Sequence, residues 1–164
     1  SMSDRPQTHR RAVSYIDKSR EFYSAHGYGE PYQWASYDDV PFVKWSDLGI
    51  DLSDATVGVV TTTFPAVFTA PKKVYRQPSS PVPDAMFTKD LSWDKDATHT
   101  NDVGSFLPLA ALHSLADDGV IGRVSDRFYG VPTEYSQRRT HADAAQIVAW
   151  ATEDDVDVMV LVPL

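Results

Sequence analysis

The sequence predicts an α/β fold: an open, mostly parallel, Rossmann-like or flavodoxin-like sheet flanked by helices and incomplete at its C-terminal side. Two observations carry that expectation. The run Ala55-Thr-Val-Gly-Val-Val-Thr-Thr62 is β-branched and apolar on both faces, as a strand covered on both sides of a parallel sheet requires. Further along, a helical pattern leads directly into the apolar run Val156 to Val162, and a helix feeding a strand usually closes a right-handed crossover into a parallel sheet.

The elements follow in order. Residues 1–10 read as an expression-tag scar and a flexible N-terminus, and 11–164 as one α/β domain. From Arg11 to His26 the positions Ala12, Val13, Ile16, Phe22 and Tyr23 recur at helical spacing, and Gly27, Gly29 and Pro31 stop the helix. Tyr32 to Trp45 is aromatic without a regular period and predicts an extended segment; Tyr32, Trp34, Tyr37, Phe42 and Trp45 suit a core or a docking surface. The 55–62 run is the first sheet strand. From Phe64 to Pro83 five prolines forbid a helix interior or a central strand, so a long surface connection is expected.

Pro108 suits the first turn of a helix with the stripe Leu109, Leu112 and Leu115, ended by Gly119, with Val120 and Ile121 folding back over it. Thr140-His-Ala-Asp143 has the spacing of a capping box, placing Ala144, Ile147, Val148 and Ala151 on the buried face of a second helix that Asp154 and Asp155 close. No internal repeat is visible.

Composition excludes several functions. The net charge of -8 disfavours nucleic acid and anionic membranes as partners. No segment nears the roughly 20 apolar residues of a membrane span, and no signal peptide is visible, so a cytoplasmic protein is expected. With no cysteine, thiolate metal sites, disulfides and cysteine nucleophiles are all excluded.

Candidate site residues follow from where loops leave strands. In open α/β sheets ligands gather beyond the carboxyl ends of the strands, which singles out Thr61, Thr62 and Thr63 after the first strand and Leu164 after the last. Threonines also finish strands with no ligand involved. Asp94-Lys-Asp-Ala-Thr-His-Thr-Asn-Asp102 sets His99 among carboxylates, making His99 the candidate acid/base group and Asp102 a candidate binding residue, or else members of a solvated turn. The spacing matches no metal-ligand pattern, so no metal is expected. Arg138 and Arg139 offer guanidinium forks to a substrate carboxylate, or surface ion pairs.

An apolar last strand with nothing after it raises two expectations: a plain edge strand, or a chain cut just before an active-site loop. Several stretches resemble the selenoprotein B family of glycine, sarcosine, betaine and D-proline reductases. They are Val13-Ser-Tyr-Ile-Asp-Lys-Ser-Arg-Glu-Phe-Tyr23, Asp38-Asp-Val-Pro-Phe42, Phe106-Leu-Pro-Leu109, Asp118-Gly-Val-Ile-Gly122, Phe128-Tyr-Gly-Val-Pro-Thr-Glu-Tyr-Ser-Gln-Arg-Arg-Thr140 and Val160-Leu-Val-Pro-Leu164, in that order. The resemblance implies the N-terminal part of a longer subunit, with selenocysteine directly after Leu164, encoded by a codon that ordinary hosts read as stop. It further implies reductive cleavage of a carbon–nitrogen bond with a pyruvoyl-bearing partner subunit and a selenoprotein A-like acceptor, and no activity in the 164 residues alone. The substrate would be a small amine or amino-acid derivative. The alternatives are a stand-alone binding module for a small amine or carboxylate, and an interaction subunit or homo-oligomer whose last strand is completed by another chain.

Overall fold

The computed structural model describes residues 15–27, 44–47, 49–65, 72–92, 94–133 and 136–164. The chain divides into two compact units, Ser1–Pro41 and Phe42–Leu164. The described part of the first is helix α1, Tyr15–Ala25. Lys18 pairs with Glu21 one turn later at 3.2 Å, and the His26 ring stacks on Phe22 with centroids 4.2 Å apart. Gly27 then takes φ +73°, a left-handed conformation that ends the helix where the sequence predicts. Residues 11–14 and most of the aromatic stretch, including Tyr32, Trp34, Tyr37 and Phe42, lie outside the described residues; Trp45 begins a short 3-10 turn, Trp45–Asp47.

The second unit is built on strand β1, Thr56–Thr61, every residue of which is buried. The other elements are β2 (Phe64–Pro65), β3 (Tyr75–Pro78), β4 (Met86–Phe87), α2 (Leu109–Asp117), β5 (Arg123–Val124), β6 (Arg127–Gly130), α3 (Gln137–Glu153) and β7 (Val158–Val162). β5 pairs with the start of β1 and β6 with its end, both parallel, while β7 pairs parallel with β1 from Val57 to Thr61. Because β7 overlaps both partners' registers, β5 and β6 share one flank of β1 as a single interrupted strand and β7 takes the other. The order across the sheet is therefore β3, β6/β5, β1, β7, with β3 and β7 as edges among the described residues.

The α/β class holds, but the sheet is mixed and curled: β3 runs antiparallel to β6, from Tyr75 opposite Gly130 to Pro78 opposite Arg127. A clean Rossmann-like arrangement is thus corrected. The physical reason is that β3 comes from the proline-rich segment and pairs antiparallel with β6, an arrangement that does not require a crossover helix. The expectation of a surface connection there is also corrected: it contains an edge strand, and Pro78 sits where prolines are tolerated in sheets. β2 and β4 form a separate antiparallel pair.

The alternation of β1 divides its side chains between two faces. Val57 and Val59 join Phe106, Leu107, Leu109, Leu112, Ile121 and Phe128 beneath α2; Val60 joins Tyr129 and Ile147 beneath α3. Phe106, Leu107 and Leu109 are almost fully enclosed, each stabilising the fold by about 2 kcal/mol relative to exposure. Pro108 is the N-cap of α2, and Gly119 follows the helix at φ +71°. Ile121 is buried, whereas Leu115 and Val120 remain exposed.

Two features of α3 depart from the sequence expectation. The helix starts at Gln137 with Ser136 as N-cap, so Thr140-His-Ala-Asp143 is no capping box; the Thr140 hydroxyl instead donates to the Ser136 carbonyl one turn back. Of the expected buried stripe only Ile147 is buried, while Ala144 is exposed and Val148 is 65% exposed. The stripe looks past β7, where the sheet has no further strand among the described residues.

Candidate functional site at the carboxyl ends of β1 and β7

The parallel pairing of β1 and β7 brings their carboxyl ends together. The Leu164 amide donates to Thr62 Oγ1 at 3.0 Å, and that hydroxyl reaches the Leu164 carbonyl at 3.5 Å. These two positions are 102 residues apart in sequence, and one side chain ties them. Thr62 is part-buried, so its hydroxyl sits at the boundary between sheet and surface.

Its neighbours have a different role. Thr61 and Thr63 are fully buried, their hydroxyls 2.9 Å apart; Thr61 Oγ1 donates to the Phe106 carbonyl at 3.0 Å and accepts from the Thr63 amide at 3.2 Å. The Thr63 carbonyl accepts the Tyr75 hydroxyl at 2.6 Å. Burial pushes the Tyr75 hydroxyl well above its ordinary pKa, so it stays a donor at neutral pH. This mesh gives the turn after β1 partners for its polar groups inside the protein. Of the three threonines, Thr62 alone presents a hydroxyl that is not enclosed.

The other predicted site residues are placed separately. His99 is exposed in a loop where its Nδ1 accepts from the Asn101 amide at 3.4 Å. Asp94 accepts the amides of Asp96 and Ala97, and Asp102 accepts the Gly104 amide at 2.9 Å, capping a 3-10 turn, Val103–Ser105. That turn leads into Phe106, whose carbonyl accepts the Thr61 hydroxyl, so the Thr61 side chain anchors the loop to the end of β1. A cavity of about 620 Å³ lies along the same loop, lined by Asp84, Met86, Thr88, Lys89, Asn101 and Val103 among others. Arg138 and Arg139 stand exposed in the first turn of α3. Among the described residues no group of three His, Cys, Asp or Glu side chains could hold a metal ion, and no helix is long and apolar enough to cross a membrane.

The dominant electrostatic feature is one that local sequence did not reveal. Asp154, the C-cap of α3, is buried and takes both Arg127 Nε, at 3.0 and 3.1 Å to its two oxygens, and Arg127 Nη2, together with the Tyr129 hydroxyl at 2.7 Å. Arg76 of β3 adds an ion pair with Glu153 at 2.7 Å and lies over the Trp150 ring. Burial alone would raise the Asp154 carboxyl, but the hydrogen bonds from Arg127 and Tyr129 and the nearby positive charges outweigh it and hold the group below the ordinary carboxylate range. Tyr129 is pushed up to about 12, by burial first and by its bond to Asp154 second. The sequence shows Asp154 only as the acidic close of a helix; Arg127 is 27 residues away, with no spacing that couples them. The cluster pins the end of α3 to β6 and β3.

No protein-family model, curated protein or solved structure matches the chain.

Proposed function

We propose that this chain is the N-terminal α/β portion of a selenoprotein B-type subunit of a glycine-, sarcosine-, betaine- or D-proline-type reductase. The reading rests on the ordered stretches from Val13 to Leu164 that resemble that family. The single structural observation that supports it is the Thr62–Leu164 pair, which holds the carboxyl ends of two adjacent parallel strands side by side, the position where open α/β sheets carry reactive groups.

In this reading a selenolate beside Leu164 supplies the nucleophile for reductive carbon–nitrogen cleavage, for the same reason a low-pKa thiolate would, being ionised and strongly nucleophilic at neutral pH. The chain's own residues provide the platform. Thr62 fixes the direction in which the backbone leaves β7, and the Thr61, Thr63, Tyr75 and Phe106 mesh keeps the neighbouring turn rigid. Such support from packed, hydrogen-bonded neighbours is what holds a reactive group in productive geometry. A pyruvoyl group would belong to a partner subunit, and no residue here is assigned to it. His99 and Asp102, in the loop anchored at Phe106, are the nearest polar candidates by chain connection; Arg138 and Arg139 suit a substrate carboxylate.

Mass spectrometry and selenium analysis of the protein purified from its native host test the reading. The expected result is a polypeptide heavier than 18.2 kDa with selenium in the residue after Leu164. A native species of 18.2 kDa without selenium overturns it.

A further inference from the structure

We propose that the free side of β7 and the α3 face beside it form the contact surface for a second copy of this chain. The two copies join about a two-fold axis, with β7 antiparallel to its counterpart and the two α3 helices lying antiparallel next to each other. This inference is argued from the β7 edge and the α3 face alone.

Three observations carry it. First, β7 reads Val158-Met-Val-Leu-Val162 and pairs on one side only among the described residues. Edge strands are ordinarily blunted by a charge, a proline or a bulge within the strand, and β7 has none of these, with Leu161 71% exposed. Second, an apolar groove of about 500 Å³ runs between β7 and α3, with Val148, Ala144, Val156, Met159 and Leu161 in its walls. Its polar lining is sparse. Of Thr140, Thr152 and Asp157, the Asp157 carboxylate already accepts the Thr56 amide at 2.8 Å, which leaves few groups to orient a small ligand.

Third, the charges along this side of α3 are arranged for self-recognition. Arg138 and His141 share a face with Ala145 and Val148 by their spacing of three and seven, and Thr152 continues that face four residues beyond Val148, while Asp155 stands just past the helix end at φ +52°. The basic groups stand at the helix N-terminus and the acidic Asp155 and Asp157 follow its C-terminus, the reverse of what the helix dipole favours. Beside an antiparallel copy each basic end meets an acidic end, twice by symmetry, as an isologous interface requires. A parallel neighbour would set like charges together.

The size of the surface sets the strength. α3 is roughly 25 Å long, and a strip one helix and one sheet edge deep is roughly 20 Å. The resulting ~500 Å² per copy is near the lower bound for a specific dimer, so affinity in the micromolar range is expected.

Sedimentation equilibrium of the purified chain, from about 1 to about 200 μM to bracket that range, should show the mass rising from 18.2 kDa toward twice that value. Leu161→Lys, on an exposed position, should keep the circular dichroism spectrum and weaken association at least tenfold. A copy carrying Arg138→Glu with His141→Glu and a copy carrying Thr152→Lys with Asp155→Asn should each stay monomeric, yet form a one-to-one heterodimer when mixed. A wild-type mass of 18.2 kDa at every concentration overturns the proposal and leaves the groove to another polypeptide. Association that survives Leu161→Lys, or charge variants that fail to pair when mixed, overturns it equally.

Discussion

At one edge of the sheet β3 carries Arg76, ends in Pro78, and is locked to α3 through Glu153 and the Trp150 ring; at the other, β7 offers Val-Met-Val-Leu-Val with no charge in the strand. The first edge uses the devices that stop strands from recruiting strangers, and the second uses none of them within its length. The difference also shows in the helix that spans both. On the β3 side α3 ends in a buried carboxylate with guanidinium and phenol partners, whereas on the β7 side the same helix presents Ala144 and Val148 to open space. One helix thus has a finished flank and an unfinished one, and burial by periodicity describes only the first.

Substitutions separate the two flanks, beginning with the largest effect. A methyl group at Gly130 would stand 1.9 Å from the Tyr75 ring, which is fixed by its bond to Thr63 and its edge contact with Phe128. Gly130→Ala should therefore force β3 and β6 apart and cost about 3 kcal/mol in chemical denaturation.

Asp154→Ala comes next. It leaves the buried Tyr129 hydroxyl without its acceptor and should cost about 2 kcal/mol at neutral pH. Because the Asp154 carboxyl is held below its ordinary range in the fold, its contribution is complete above the unfolded value of about 3.9 and is lost as pH falls through the lower folded value. Denaturation midpoints of the wild type and the variant should accordingly converge below about pH 4.

At the carboxyl ends the effect is smaller. Thr62→Val removes the link to Leu164 and should cost about 1 kcal/mol, with faster amide exchange confined to the end of β7. Leu161→Lys should change the stability of the single chain by less than about 0.5 kcal/mol, because its side chain is already in solvent; a large loss would mean that the β7 edge is covered within one copy.

The parts of the fold readable from sequence are those fixed by local pattern. β1 was legible because it is β-branched with apolar residues on both faces, and α1 and α2 because Gly27 and Gly119 stop them at left-handed positions. β3 was hidden by the prolines around it, since an edge strand needs only one paired side and tolerates what a central strand does not. The α3 stripe was legible as apolar but not as exposed: spacing reports which residues share a face, and only the extent of the sheet decides whether anything lies against it. At the candidate site Thr62 and Leu164 were legible as ends of parallel strands. The division of labour between Thr62 and its buried neighbours was not, because it depends on Phe106 and Tyr75, distant in sequence. Asp154 was missed for the same reason.

The contrast between the two edges is tested most directly by amide hydrogen exchange followed residue by residue at low and high protein concentration. The outward-facing amides of Val158–Val162 should gain protection as concentration rises, while those of Tyr75–Gln77 stay unchanged. Exchange in β7 that is equal at both concentrations would contradict an edge built to be covered by a second copy.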